Sequence, residues 1–575
     1  MRTIDLRSPV EEPAGLDRLS PNGVMIYANL NKRQGCSAYL GLHWFKIPTT
    51  RAPRMPIQPT HARVAARTID LDAATIADLN AAFEAATLSS EKLVQASMAR
   101  IQAYDRQGPK LNAVITLNPA ALETARALDE ERRAKGPRSP LHGIPVVLKD
   151  NFDTFDMPTT CGSMLLEGSI PPDDAFIVKK LRAAGAVVLA KVNMSEFASA
   201  GTFSSIGGYS RNPHDLMRSP SGSSGGTGVA IAAAYAPLGL GTDTGGSIRG
   251  PAAANGIAAL KPTHGLLSRD GIIPLALSLD TGGPMARNVY DIALALGVLT
   301  GVDDADPATL LSEGKFRNDY TKQLDPEALN GARIGVARDF MGADADADWV
   351  VQAGLDAMRR VGATIVDVRC PKWLLDAKDD FFNAIRLAEF GPQIADYLAT
   401  LGPDYPKTLA QLIQRSLRLP SKRQNGTGPN PGRWAQFEHE AANGMLQDYR
   451  YTSVRDYGMP LVRAAINGIL ASHNLDAIVY PTALRRAALV AGPTSDPLGP
   501  AAGSATNIAN LAGLPDLSVP AGFTGDGLPV GLSFLGSAFS EQKLLSLGYS
   551  FEQATRARRL PVHTPALDAD RISLL

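Results

Sequence analysis

Apolar residues recur at helical spacing soon after residue 68: Ile76, Leu79 and Phe83, then Leu93, Met98 and Ile101. Regular structure is therefore expected from Thr68 onward, with Ser89 or Ser90 capping the second of two helices. A third helix is bounded by Asn118 as its N-cap, Pro119 at its first position and Gly136 after residues 120–135. Two later stretches follow one plan, a helix stopped by glycine and then a β-branched strand: 175–184, Gly185 and 186–190, and again 350–361, Gly362 and 363–368. Such units build α/β sheets. Further strands are expected at Arg333–Ala337 and 477–480, and Asp526-Gly527 between 517–523 and 530–535 reads as a hairpin, which makes the sheet mixed.

The pattern loosens over residues 371–433 into helical pieces and a polar loop at 421–433 rich in Asn, Gly and Pro. It is expected to modulate specificity, since loops carried by a rigid sheet are where substrates are usually selected. Residues 1–66 mix Pro, Arg and Asn with one short apolar stretch and are expected to form a poorly ordered N-terminal arm.

Charge and composition narrow the partners. The 575 residues carry 57 basic and 57 acidic side chains, so no net field favours nucleic acid or an anionic membrane. No run of about 18 apolar residues suggests a membrane span. The three cysteines, Cys36, Cys161 and Cys370, are too far apart for a CxxC pair or a zinc site, so neither a disulfide framework nor a metal is expected. A small-molecule partner remains.

The segment 219–251, SPSGSSGGTGVAIAAAYAPLGLGTDTGGSIRGP, carries the chemistry. Two turns of small residues flank a helical stretch at 229–235 and a strand at 238–242, an arrangement that can bring two serine-bearing turns face to face. A phosphate cradle is disfavoured, because neither a P-loop ending nor GxGxxG is present. Ser224 satisfies GxSxG, yet none of His264, His439, His473 or His563 lies in a context that marks it as the partner of an α/β-hydrolase serine. A flexible linker leaves the apolar elements at 229–240 unexplained. Elsewhere, Ser89 to Lys92 matches SxxK but reads as a helix cap, and Cys161 reads as a packed side chain.

Taken together these stretches closely resemble the amidase signature family, whose hallmark is a GGSSGG loop, then GTDxGGSIRxP, then GxxGxKPT. Here they read Ser221-Gly222-Ser223-Ser224-Gly225-Gly226, then Gly241-Thr242-Asp243-Thr244-Gly245-Gly246-Ser247-Ile248-Arg249-Gly250-Pro251, then Asn255-Gly256-Ile257-Ala258-Ala259-Leu260-Lys261-Pro262-Thr263. Ser221, Gly250, Asn255 and Ala259 depart from the usual residues. Upstream, Gly143-Ile144-Pro145 through Lys149-Asp150 resembles the family's lysine segment; downstream, 278–285, Gly513-Leu514-Pro515 and 527–532 also resemble family segments. The resemblance spans residues 68 to 559. The expected organisation is an amidase domain at 67–560 followed by a short tail at 561–575. The fold expected for it is α/β: a single large α/β/α domain with a mixed, mostly parallel, twisted sheet covered by helices on both faces.

The resemblance implies that Ser247 is the nucleophile, that Ser223 is a bridging serine on a cis peptide bond and that Lys149 is the base. A serine hydroxyl needs an adjacent base to attack an amide, and a buried lysine can be neutral because desolvation disfavours its ammonium form. The turn Thr244-Gly245-Gly246-Ser247 can aim backbone N–H groups at an oxyanion, while Asp243, Arg249 and Ser224 are expected to hold it. No metal or organic cofactor is required.

The implied activity is hydrolysis of a carboxylic amide through a serine acyl-enzyme, on a small amide or short peptide amide. Residues 265–274 with Leu117-Asn118-Pro119 look most like bacterial peptide amidases. The alternatives are the A subunit of a glutamyl-tRNA(Gln) amidotransferase, an ester- or carbamate-cleaving member of the family, and a non-catalytic binding protein. A monomer or homodimer in the cytoplasm is expected, with export as the other possibility.

Overall fold

The computed structural model describes residues 68–199, 201–422, 426–490 and 504–573. The N-terminal arm expected at 1–66, with Cys36, lies outside the described residues. Eleven strands form the main sheet. In chain order they are β1 Val114–Leu117, β2 Pro145–Lys149, β3 Val187–Val192, β4 Leu238–Asp243, β5 Ala258–Lys261, β6 Thr281–Ala286, β7 Arg333–Ala337, β8 Thr364–Val368, β9 Ala477–Pro481, β10 Asp516–Phe523 and β11 Pro529–Leu535. Across the sheet the order is β8-β7-β9-β11-β10-β5-β6-β4-β2-β3-β1.

The sheet is mixed. Parallel pairing fills two blocks, β8-β7-β9 and β4-β2-β3. Each block contains a helix–glycine–strand unit read from the sequence: the helix Phe176–Ala183 leads into β3, and Ala345–Arg360 leads into β8. A parallel neighbour needs such a long crossover, whereas a tight turn forces antiparallel pairing. Between the blocks, β11, β10, β5, β6 and β4 pair antiparallel, and the turn at Asp526-Gly527 joins β10 to β11, with Gly527 at φ 81°.

Strand residues alternate between the two faces of the sheet. Val146 and Leu148 of β2, Leu238 and Leu240 of β4, Val479 of β9 and Leu517 of β10 join one core, packed with apolar residues of Phe176–Ala183, Val289–Leu299, Ala345–Arg360 and Glu541–Thr555. Val147, Val187 and Leu189 face a second core under Gly225–Ala232 and Arg249–Asn255. Ile478, Tyr480 and Leu535 face a third, under Met459–Ser472 and Asn507–Ala512. Helices therefore cover both faces.

Three local expectations shift. The helix expected from residue 120 runs over Ala121–Lys135, because Asn118 Oδ1 closes a local turn onto Ala120 N at 2.9 Å instead of capping the helix. The region 371–433 holds one 28-residue helix, Lys372–Ala399, then Leu409–Arg418 and Pro431–Asn443, so the polar loop ends at Asn430, whose side chain caps the last helix. The end of the chain docks onto the domain: Arg571–Ser573 pairs with Thr68–Asp70, and buried Asp570 pairs with Arg100.

The two serine-bearing loops depend on close backbone approach. Gly226 opens the helix Gly225–Ala232 and donates to Asn193 O at 2.9 Å. A Cβ there would lie 2.8 Å from Ala113 O and collide with Asn193 N and O, main-chain atoms that cannot swing aside. Gly226→Ala is expected to cost about 1–3 kcal/mol as an overpacked core site does, measured as a lower urea midpoint at unchanged m-value. A parental midpoint would contradict this close packing.

Candidate active site

Lys149 is the last residue of β2 and is fully buried. Its Nζ donates to Ser223 Oγ at 2.7 Å and to Thr242 Oγ1 at 2.7 Å, with Thr242 O at 3.4 Å. Burial disfavours the ammonium and pushes this amine down to about 7, although Cys161, Asp243 and Asp280 pull the other way. Asn151 Nδ2 donates to the same threonine hydroxyl at 3.1 Å, so Thr242 fixes both members of the lysine segment.

Ser223 stands in the loop before Gly225–Ala232, and the Gly222–Ser223 peptide is cis. Ser247 stands between the end of β4 and the helix Arg249–Asn255. Both serines line one cavity. Among the described residues no hydrogen bond joins their hydroxyls; the two loops are tied instead through Ser224. Its N–H donates to Ser247 O at 3.1 Å, its Oγ donates to Thr242 O at 3.2 Å, and it accepts from Thr242 N at 3.3 Å.

The turn after β4 is organised by Asp243. Its carboxylate accepts from Gly246 N at 2.7 Å and Ile248 N at 3.0 Å, and it pairs with Arg249 at 2.9 Å, both side chains wholly buried. Burial alone would raise Asp243, yet the Arg249 guanidinium and the Ile248 N–H hold it well below the usual carboxylate range. Gly246 N–H is thus committed to a charge-assisted bond inside the turn. Of the four residues expected to give oxyanion donors, Gly245, Gly246 and Ser247 line the cavity with Ser223, whereas Thr244 lines a separate small pocket beside Asn151.

Sequence reasoning missed the residues that complete this network. Arg249 also reaches Asp516 at 2.6 Å and Asn510 Oδ1 at 2.7 Å; Asn510 Nδ2 returns to Asp243 Oδ1 at 3.0 Å, and Tyr480 O–H donates to Asp516. A signal was present, since Asp516 directly follows Gly513-Leu514-Pro515 and opens an otherwise apolar strand. Cys161 is buried and its thiol is pushed up by burial, as a packed side chain should be. Ser89 Oγ accepts from Lys92 N at 3.2 Å, the cap expected of the SxxK segment.

The cavity has a volume of about 780 Å³ and a lining dominated by Ala, Gly, Ser and Thr. Arg485 and Arg486 are its charged described lining residues, and no Asp or Glu belongs to that lining. Arg486 is neutralised by Asp344 at 2.8 Å, Asp346 at 2.6 Å and Asp526 at 3.0 Å. Among the described residues no group of three or more His, Cys, Asp or Glu is placed to hold a metal ion, and no helix is long and apolar enough to cross a membrane.

Comparison with known proteins agrees with this geometry. The Amidase family model matches residues 92–545. The A subunit of glutamyl-tRNA(Gln) amidotransferase from Halorhodospira halophila is 36% identical, with 84% of this chain and 97% of that protein covered. The peptide amidase structure from Stenotrophomonas maltophilia is 41% identical with a TM-score of 0.78, covering 86% of this chain and 99% of that one. The amidotransferase A subunit from Thermotoga maritima superposes with a TM-score of 0.64 at 27% identity, over 86% and 98%. The chain belongs to the amidase family, enzymes that act on amide C–N bonds.

The Arg249 network yields a stability prediction. Arg249→Met leaves Asp243 and Asp516 buried without their cation, and breaking a buried pair from one side costs about 3–5 kcal/mol. Guanidinium unfolding should show that loss; a variant within about 1 kcal/mol of the parent would mean the two carboxylates find other partners.

Proposed function

We propose that the chain hydrolyses a carboxylic amide at this site, with Ser247 as nucleophile, Ser223 as proton bridge and Lys149 as base. The observation that carries this reading is the buried Lys149 amine, lowered to about 7 and 2.7 Å from a serine that shares a cavity with Ser247. Ser223 passes its proton to Lys149 as it takes one from Ser247, and Ser247 Oγ bonds to the substrate carbonyl carbon. Side-chain rotation closes the link between the two hydroxyls, since catalytic hydrogen bonds commonly tighten only when substrate is bound. Negative charge then develops on the carbonyl oxygen, where the N–H groups of Gly245 and Ser247, both on the cavity lining, are the donors. As the C–N bond breaks, the leaving nitrogen takes the proton back from Lys149 through Ser223. Water repeats the relay on the acyl-enzyme, releasing the acid and restoring Ser247.

The substrate is an uncharged amide of peptide-amide or aryl-amide kind. Among the described residues the lining has no carboxylate to pair with an α-ammonium group, and its small side chains leave room for a bulky acyl portion. The likeness to a peptide amidase at 41% identity supports this reading. The second reading, an amidotransferase A subunit, is favoured by the curated relatives, which carry that name at 36–38% identity. An ester or carbamate would meet the same nucleophile. As a free enzyme the protein would act as a monomer or homodimer in the cytoplasm, on small molecules and not on nucleic acid.

The purified chain is expected to release ammonia from C-terminally amidated peptides or amine from anilides, without partner proteins, and Ser247→Ala to lose at least ~10³-fold in kcat. Turnover of glutamine alone, or only after partner proteins are added, would favour the second reading; parental turnover by Ser247→Ala would remove the proposed nucleophile. The pH dependence has a definite sign. Lys149 must be neutral to accept a proton, so kcat/KM rises with pH through about 7 and levels off above it. An acid limb centred near 4, as a carboxylate base gives, would exclude Lys149.

A further inference from the structure

The turn that carries Ser247 is held from outside the motifs that announce it. Its Gly245–Gly246 peptide is fixed at both ends: the Gly246 N–H donates to Asp243 Oδ1 at 2.7 Å, and the Gly245 carbonyl accepts from Thr506 Oγ1 at 2.7 Å. Thr506 is 5% exposed and precedes the helix Asn507–Ala512, whose Asn510 also reaches Asp243. Ser504 Oγ lies 2.6 Å from Thr506 Oγ1 and accepts from Thr506 N at 3.2 Å. A carbonyl oxygen can only accept, and a hydroxyl has one proton to give. The shorter contacts set the direction, Ser504 O–H to Thr506 Oγ1 and Thr506 O–H to the Gly245 carbonyl, with Ser504 Oγ itself 3.5 Å from that carbonyl.

Packing reinforces the contact. A Cβ at Gly246 would run into Thr506 Oγ1, and one at Gly245 would lie 2.8 Å from Phe382 Cε2 on the long helix Lys372–Ala399. The turn is gripped between a hydroxyl and an aromatic ring, and both neighbours require glycine where it stands. Asp379 of that helix accepts from Asn507 Nδ2 at 2.7 Å, so the two gripping elements are joined to each other. Because a peptide unit is planar, holding the carbonyl of residue 245 together with the Gly246 N–H fixes that unit as a plate, and the units that carry the Gly245 and Ser247 N–H groups pivot from its two ends.

We propose that Thr506 is a positioning residue for the reaction: its hydroxyl holds the Gly245 carbonyl and thereby aims the N–H groups of the turn at the oxyanion. This rests on the reading of Ser247 as nucleophile. The effect belongs in kcat, because the charge those N–H groups stabilise develops only in the transition state. Thr506 also lines the cavity, so a direct substrate contact is the competing role, and it would change KM.

The test uses the full chain with Thr506→Val, Thr506→Ser and Ser504→Ala/Thr506→Val, and Ser247→Ala as control. Steady-state turnover of an amide the parent hydrolyses is measured beside the labelling rate by an alkyl fluorophosphonate. Thr506→Val is expected to lower kcat and labelling about 10- to 100-fold with KM within about twofold, as small misplacements near reacting atoms do. Thr506→Ser should recover to within about threefold of the parent, and the double variant should fall at least as far as Thr506→Val. Thr506→Ala replaces the valine variant if that one does not fold. The proposal is overturned by parental kcat and labelling in Thr506→Val, by a serine variant as slow as the valine one, or by a loss confined to KM. Labelling that survives in Ser247→Ala would instead overturn the nucleophile reading, and the proposal with it.

Discussion

The site depends on one costly arrangement, a lysine amine placed wholly out of water at the end of a central strand. An ammonium there would lack its hydration, and no carboxylate is hydrogen-bonded to Lys149 to replace it; the contacts are two hydroxyls and a carbonyl. The amine answers by giving up its proton near neutrality. Everything around it is consistent with keeping water away: the serine loop packs backbone on backbone at Gly226, and the strand residues before Lys149 fill the cores on both faces.

A second buried lysine shows that desolvation alone does not define a base. Lys261, at the end of β5, is pushed down to about 7 by burial first and by Arg249 beside it. Its Nζ donates to Pro262 O at 2.6 Å, and it pairs in register with Asp516 across the sheet. It touches neither serine loop by hydrogen bond. The two amines have similar acidity and different neighbours, so the hydroxyl at 2.7 Å distinguishes Lys149. The Asp243–Arg249–Asp516 cluster plays a different part. Closed on itself by ion pairs, it fixes the turn.

Much of this was legible in the sequence because short-range chemistry wrote it there. Glycine marks the place where backbones approach at 226 and where a ring and a hydroxyl press on the turn at 245 and 246, and residues 145–149 form a strand buried on both faces, which reads as a continuous apolar run ending in a lysine. The long helix Lys372–Ala399 was not legible. Its buried positions crowd into Ala384–Phe390 and include the charged Lys378 and Glu389, which blurs a helical apolar stripe, and Pro392 inside it reads as a breaker. Tyr480, Asn510, Asp516 and Thr506 were missed for another reason. They act on the catalytic turn from strands and a helix more than 200 residues downstream, and no local pattern records a contact made only by the fold.

The division of labour across the chain follows from that separation. In the proposed reaction residues 143–263 supply the reacting groups, from two adjacent parallel strands and the loops that leave them. Much of the cavity wall comes from elsewhere: Ala347, Thr482 to Ala488, Ser504 to Thr506 and Pro529 to Gly531. These segments meet the chemistry only through side chains and isolated hydrogen bonds, such as Ser219 N to Ala488 O at 2.7 Å. A free hydrolase and a member of an amidotransferase complex can therefore share the first set while differing in the second. A wall that offers an unpaired charge would select a charged substrate, and of the two guanidiniums in this one, Arg485 and Arg486, the second is tied to three carboxylates.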